Sequence, residues 1–115
     1  MRAQYELASA LYESGDPKGA AAHFAIVAAT MPESADARYS LGSVYTRINR
    51  VDEALTELHA AIALEPRHFR ANLLLGRILT LRGDKASAIP HLQTAVSVDS
   101  SSVEAKQFLA DAMKR

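Results

Sequence analysis

Apolar residues along the chain recur in pairs of short segments, each with the spacing of an amphipathic helix. In the first pair, Leu7 and Leu11 lie four residues apart, and Ala20, Phe24 and Val27 follow with spacings of four and three. These spacings place side chains on one face of a helix. Short polar turns separate the segments. The pattern therefore predicts helical hairpins and an all-α chain.

The hairpin pattern repeats at a fixed step of 34 residues, without a gap. Small residues recur as regularly as large ones. A small residue at a fixed place marks a close approach of two backbones, and a large one fills the space beside it. A stack of similar hairpins is predicted. The step joins Leu7, Leu41, Leu75 and Leu109, then Ala8, Gly42, Gly76 and Ala110, and then Phe24, Leu58 and Leu92.

The turns inside the hairpins hold residues suited to ending one helix and starting the next. Gly or Asn can adopt the left-handed conformation that closes a helix, and an Asp that follows can cap the next helix. The pairs are Gly15 with Asp16, Asn49 with Asp52, and Gly83 with Asp84.

Prolines set limits to the second helix of two hairpins. Pro32 and Pro66 cannot continue a helix and restrict the residue before them, whereas Ser100 stands at this place in the third hairpin. Pro90 falls inside the sixth segment and predicts a local kink there. We expect helices near residues 2–14, 18–31, 35–48, 52–64, 69–82, 85–98 and 103–114.

The repeated residues resemble the unit of the tetratricopeptide repeat (TPR) family. The second unit matches best, although Arg38 stands where the family has an early aromatic residue. The resemblance implies a right-handed α-solenoid of antiparallel hairpins, about seven helices in one domain over residues 1–115. Its units are 1–34, 35–68 and 69–102, with a closing helix 103–115 that turns Leu109 and Met113 to the core. The matching residues are Leu41, Gly42, Tyr45, Ala54, Leu58, Ala61 and Pro66.

Composition and charge exclude several classes of protein. Thirteen basic residues balance thirteen acidic ones among 115, and none form the basic stripe that a nucleic acid would require. The chain has no cysteine, which removes disulfides and thiolate metal sites. Its longest apolar stretch, Ala20–Ala29, is too short to span a membrane. No secretory signal is visible, which says nothing about location if the chain is a piece of a longer protein, and a cytoplasmic location is only the default expectation.

No candidate catalytic, metal or cofactor site emerges from the sequence. His23 and His91 share a helical face, but a whole hairpin separates them, which is too far for one metal ion. We interpret these two residues, together with His59 and His68, as ordinary surface histidines. The segments Gly15–Gly19 and Arg82–Asp84 resemble a phosphate-binding turn and an adhesion tripeptide, but turn and cap chemistry already explains both. The chain is predicted not to be an enzyme.

The family resemblance implies that the first helices of successive hairpins line a concave groove. Three tyrosines would form an aromatic patch on this wall, and two arginines a basic pair, and both residue types are frequent at binding hot spots. Thr46, Thr80 and the closing helix's Glu104, Gln107, Asp111 and Lys114 extend the wall. Its main predicted residues are Arg2, Tyr5, Ser9, Tyr12, Asp36, Tyr39, Ser43, Arg70, Leu73 and Arg77.

One branch of the family grips the terminal carboxylate of chaperone tails with Lys, Asn and Arg side chains. The corresponding residues here are Tyr5, Ser9, Ser40, Arg70 and Leu74. Only Arg70 fits that pattern. Binding of a chaperone tail is therefore not expected, and a partner with acidic and apolar residues suits this wall better.

Two hypotheses follow for the function. In the first, the chain is an adaptor whose groove binds a peptide or a helix of a partner protein, with no chemistry of its own. In the second, it is a structural module of a larger protein that associates weakly with copies of itself through the open ends of the solenoid. No cofactor, nucleic acid or membrane enters either hypothesis.

Overall fold

The structure, a computed structural model, describes residues 2–114. Met1 and Arg115, the ends of the predicted domain, lie outside the described residues. Within that range every regular element is an α-helix, and no helix is long and apolar enough to cross a membrane. The predicted helices are confirmed to within one residue at every end. The helices are α1 (Arg2–Glu13), α2 (Pro17–Thr30), α3 (Ala35–Arg47), α4 (Val51–Leu64), α5 (Phe69–Leu81), α6 (Lys85–Val98) and α7 (Val103–Met113).

The caps of three helices recur at the repeat step. Ser34 and Ser102 accept hydrogen bonds from the backbone N–H groups of the third residues of α3 and α7. At the same place before α5, His68 accepts the N–H of Ala71 through Nδ1 at 3.1 Å. His68 is buried, so its interpretation as a surface histidine was wrong. A buried imidazole here supplies the acceptor that serine supplies elsewhere.

The caps inside the hairpins follow the prediction in two of three cases. Asp16 and Asp84 cap α2 and α6 through their carboxylates. Asp52, however, lies inside the first turn of α4, because the residue one repeat after Asp16 is Arg50. The predicted Asp52 cap was therefore wrong. The expected left-handed residues are confirmed, with φ values of 93° at Gly15, 62° at Asn49 and 86° at Gly83.

The chain divides into two compact units, Met1–Leu64 and Glu65–Arg115. The first holds α1 to α4, and the second holds α5 to α7. The single domain and its repeat limits stay a prediction. Each unit has a hydrophobic core of its own, which we describe in turn.

The core of the first unit lies between α1, α2 and α3. Phe24, Val27 and Leu41 are almost fully buried there, among alanines that let the helices approach closely. Burying a side chain of this size stabilises a fold by about 1.5–3 kcal/mol. Leu7 was predicted on the buried face, but 43% of it is exposed, because α1 packs mainly on α2 and buries Ala8 instead.

The core of the second unit lies between α5, α6 and α7. Ala88, Leu92 and Ala112 form its center, and Phe108 and Leu109 pack against them. Leu109 thus faces the core as predicted. Met113 does not, since 60% of it is exposed. The buried face of α7 ends with Ala112, and Met113 lies outside that face.

A close contact of a small residue with a large one recurs inside the hairpins. In the second hairpin, a Cβ atom at Gly42 would lie 3.0 Å from Cγ of Leu58. In the third, a Cβ atom at Gly76 would lie 2.5 Å from Cγ of Leu92. Both leucines are fully buried and have no room to move. The predicted pairing of small and large positions is thereby confirmed, and in these hairpins the glycine of the first helix lies directly against a leucine side chain of the second.

A polar contact also recurs between the two helices of each hairpin. In each pair, the first residue occupies the repeat position of Arg38, where the family has an early aromatic residue. The second residue lies 19 positions later in the sequence. The side chains involved are half-buried or buried. The earlier interpretation of His23 and His91 as surface histidines was therefore wrong. The pairs are Gln4–His23 at 2.8 Å, Arg38–Glu57 at 3.0 Å and Asn72–His91 at 3.2 Å.

The third hairpin differs from the others at its proline positions. α6 continues through Pro90 as one helix, and the kink stays a prediction. After α6, where Ser100 replaces the proline, Asp99 accepts hydrogen bonds from the hydroxyl and the N–H of Ser101. The hydroxyl bond, followed by the backbone bond, lowers the pKa of Asp99 below its ordinary value. This Asp-centered turn replaces the proline.

Replacing Gly76 with alanine tests the close helix contact. Gly→Ala inside a helix ordinarily stabilises by about 1 kcal/mol. Here the new methyl group would clash with Leu92, so we expect Gly76→Ala to lower the free energy of unfolding by about 1–3 kcal/mol. Gly42→Ala, with a longer contact, should cost less. Urea denaturation measures both, and a stabilised Gly76→Ala protein would contradict the contact.

Replacing Arg38 tests the recurring polar contact. The side chains of Arg38 and Glu57 are only 26% and 17% exposed, so Arg38→Met leaves a carboxylate with little solvent. We expect a loss of about 1–3 kcal/mol in unfolding free energy. The double variant Arg38→Met/Glu57→Leu should recover most of it, because no charge is then left unpaired.

The exposed pair of Arg2 and Glu6 provides a matched control for the Arg38 variant. Its side chains are 93% and 65% exposed, and Arg2→Met should cost less than about 0.5 kcal/mol. Equal losses for Arg38→Met and Arg2→Met would show that the half-buried pair makes no special contribution to stability.

Candidate functional site

A cleft of about 140 Å³ opens on the first unit between α1 and α3. Ser9 and Tyr12 of α1 and Tyr39 and Ser43 of α3 line it. Spacings of three and four residues place each pair on one helical face. The structure thus brings together four of the seven main wall residues predicted in this unit.

The floor of the cleft is apolar and its walls carry hydroxyl groups. Phe24 and Val44 are almost fully buried and form the floor. Glu13 is the one charged side chain among the lining residues, at the end of α1. Such a surface can bury a small apolar side chain and hydrogen-bond to the backbone beside it.

Arg47 fixes Tyr12 at the edge of the cleft. Its guanidinium lies 4.6 Å from the center of the Tyr12 ring, a cation–π contact. One of its nitrogens also donates a hydrogen bond to the Tyr12 carbonyl at 3.3 Å. The ring is therefore held in place before any ligand arrives, which reduces the entropy lost on binding.

Tyr5 is placed differently from the prediction of an exposed aromatic patch. Its hydroxyl lies 3.1 Å from that of Ser40, and its ring meets the ring of Phe24 edge-on, with centers 5.4 Å apart. With Arg2 and Asp36 it lines a separate hollow of about 380 Å³. Tyr5 therefore packs beneath the cleft, against two of the residues that line it. The predicted wall is divided between the cleft and this separate hollow.

The predicted wall residues of the second unit lie on α5. Arg70 is exposed and forms no ion pair with any residue in the range 2–114. Arg77 lies 3.7 Å from Glu104 of α7. Leu73 was predicted to face a ligand, but it packs against the core around Leu92. In the predicted basic pair, Arg70 is thus exposed without an ion pair in the described range, and the charge of Arg77 is partly neutralised by Glu104.

Sequence reasoning missed several residues of the cleft. Phe24 was assigned only to the core, Ser40 only to the chaperone-tail comparison, and Val44 to neither. Glu13 and Arg47 received no role. Arg47 had a usable signal, because it lies 35 residues after Tyr12 and therefore one position beyond its repeat counterpart.

Comparison with known families agrees with this geometry. Two family models described as tetratricopeptide repeat match residues 11–78 and 69–102. The first spans more than half of the chain. The chain belongs to the tetratricopeptide repeat family.

A similar curated protein is the DnaJ homolog subfamily C member 7 homolog of Schizosaccharomyces pombe. It is 30% identical to this TPR chain over 76 residues, which are 66% of the chain. The chain spans 16% of the length of that relative. The match therefore concerns a small part of the larger protein.

Several solved structures superpose on nearly the whole chain. The second TPR domain of human RPAP3, in complex with the HSP70 peptide SGPTIEEVD, has a TM-score of 0.87 and 18% identity, over 97% of this chain and 93% of that one. The first TPR of Spaghetti (RPAP3), bound to the HSP90 peptide SRMEEVD, gives 0.89 and 15%, over 96% and 89%. MamA of Desulfovibrio magneticus RS-1 gives 0.89 and 20%, over 96% and 63%. These likenesses confirm the all-α helical-repeat fold class.

Proposed function

We propose that this TPR chain is a protein-interaction scaffold, and that the cleft between α1 and α3 binds a peptide or helix of a partner protein. The observation that carries the proposal is the cleft itself, with two tyrosines above an apolar floor. No group in it is arranged for chemistry, and we propose no catalysis. The scaffold would act by holding its partner in place.

The construction of the cleft supports this function. Tyr12 is held by Arg47, and Tyr39 stands on a helix whose buried face packs on α2 and α4. Tyrosines on rigid elements bury a large area and lose little side-chain entropy on binding. A cleft of this kind anchors one side chain of a partner and leaves the remaining contacts to the surrounding surface.

Two structural neighbors support peptide binding as the general role, since both were solved with a bound peptide. Their identities to this chain are below a fifth, so their ligands do not transfer. The places of the carboxylate-binding residues hold Tyr5, Ser9 and Ser40 in the first unit. None of these is cationic. We propose a different ligand from the chaperone tails that those neighbors hold.

The proposed partner contributes an apolar side chain to the cleft and an acidic residue to the basic wall of α5. Arg70 is exposed and has donors available. Arg77 retains donors beyond its contact with Glu104, because a guanidinium carries five N–H groups. An exposed pair of charges contributes about 0.2–1 kcal/mol, so the acidic contact tunes affinity and the apolar anchor supplies most of it.

A second candidate function is self-association as part of a larger protein. One observation favors it, namely that α7 exposes Val103 and Met113 at 79% and 60%. Apolar groups left in water favor association when a matching surface is available. Light scattering distinguishes this function, because the mean mass would then rise with protein concentration.

Capture of partners from a lysate, followed by mass spectrometry, tests the scaffold function. We expect a protein retained by the wild type and lost by Ser9→Arg, which fills the cleft. Ala10→Arg is the matched control, because it adds the same side chain at an exposed position of the same helix. Arg70→Glu/Arg77→Glu should also lose the partner.

The charge change of the double arginine variant needs its own control. Arg67→Glu/Lys85→Glu makes the same change at exposed positions of the second unit, outside the proposed wall. Retention by this control and loss by Arg70→Glu/Arg77→Glu supports the wall on α5. Equal retention by every variant would reject the proposed binding surface.

A further inference from the structure

A third concavity lies on the first unit, apart from the cleft and from the hollow beside Tyr5. Three alanines of α2, together with Tyr45 and Ile48 at the end of α3, line a hollow of about 630 Å³. None of its lining residues lines the cleft. Its volume falls in the range of about 300–1,000 Å³ typical of ligand sites.

The hollow exists because three side chains are small. Ala21, Ala22 and Ala25 form one face of α2, with spacings that place them side by side. One repeat later, the same three places carry larger side chains. They are Leu55, Thr56 and His59. The first hairpin thus lacks side-chain volume that its neighbor in sequence has, and the space left is lined by methyl groups and an aromatic ring.

The rim of the hollow is positively charged, again unlike the next repeat. Lys18 and Arg50 stand at its edge, and no acidic residue is among those that line it. The residues one repeat later are Asp52 and Asp84. Each of the two charges is therefore inverted one repeat later. The hollow thus combines two positive charges with three small side chains, whereas the next repeat has negative charges and larger side chains at these positions.

The two cations differ in how they are held. Arg50 pairs with Glu53 and lies 5.2 Å from the center of the Tyr45 ring. The contact fixes its guanidinium at the rim, and one carboxylate leaves some of its five N–H groups unused. Lys18 is exposed and forms no ion pair with any residue in the described range. The rim therefore offers one oriented and one flexible cation.

We propose that this hollow is a second docking surface, which takes an acidic protein segment with one aliphatic side chain. The aliphatic group would rest on the alanines and Tyr45, and carboxylates on either side would reach Lys18 and Arg50. The apolar floor favors such a segment over a free phosphate, which would leave that floor exposed to water. The same compact unit would then contact partners on two faces.

Nuclear magnetic resonance of the labelled full chain tests the proposal with a defined probe. The probe is a capped pentapeptide with one leucine between two pairs of glutamates, and the comparison peptide has lysines in place of the glutamates. We expect the acidic peptide to produce saturable shifts at the amides of α2 and of the α3–α4 turn, among them Ala22 and Ile48. The basic peptide should produce none there.

Variants taken from the next repeat separate the two contributions. Lys18→Asp/Arg50→Asp installs that repeat's own charges and should weaken binding about tenfold, from two exposed ion pairs. Ala22→Thr/Ala25→His fills the hollow and should abolish the shifts. Arg67→Glu/Lys85→Glu makes a charge change of the same size at exposed positions outside both proposed surfaces, and it should leave the affinity unchanged.

Four results would count against the proposal. The first is equal binding of the acidic and basic peptides. The second is a set of shifts confined to the cleft residues Tyr12, Tyr39 and Ser43. The third is displacement of the acidic peptide by sodium phosphate at an equal concentration, which would show a simple anion site. Unchanged affinity in Lys18→Asp/Arg50→Asp would likewise reject the role of the rim.

Discussion

The close approach of two helices at a small residue is the contact on which the hairpins depend. At Gly42 and Gly76 a single added carbon would meet a buried leucine at 3.0 and 2.5 Å. Because the leucines are enclosed on all sides, the distance between the paired helices has little freedom. The α3 side of the cleft and the wall on α5 therefore lie on helices whose opposite faces are held by this contact.

Around this contact the chain varies its polar groups without leaving them unsatisfied. The family's early aromatic place holds Gln4, Arg38 and Asn72 in turn, and each finds a partner on the second helix of its own hairpin. Likewise His68 supplies the cap that Ser34 and Ser102 supply elsewhere. In the described residues no buried side-chain polar atom lacks a hydrogen bond. Pairs of this kind can differ from one hairpin to the next because each is closed locally.

The sequence predicted the helices well, because a fixed step and helical spacing are properties of the chain alone. It predicted the small and large contacts for the same reason. The sequence did not predict burial correctly where burial depends on which neighboring helix covers a residue. Leu7 is exposed although Leu41, one repeat later, is buried, because α1 packs mainly on α2 whereas α3 packs on both α2 and α4.

The candidate sites were harder to predict than the fold. Four wall residues of the first unit do meet at one cleft, since helical spacing determines the face they share. Leu73 is half-buried against the core around Leu92, because an aliphatic residue on the edge of a stripe can pack inward as well as face a ligand, and its place in the wall stays a prediction. The alanine hollow gave no positive signal, since missing volume becomes visible only when the neighboring elements are in place.

Native-state hydrogen exchange of the unmodified chain tests most directly whether the hairpin contact holds the binding surfaces in place. If it does, amides flanking Leu58 and Leu92 should exchange among the slowest, through openings close to global unfolding. Amides of Tyr39 and Ser43, on the same rigid frame, should be protected to a similar degree. Fast exchange at Tyr39 and Ser43, beside slow exchange around Leu58, would contradict a preformed cleft.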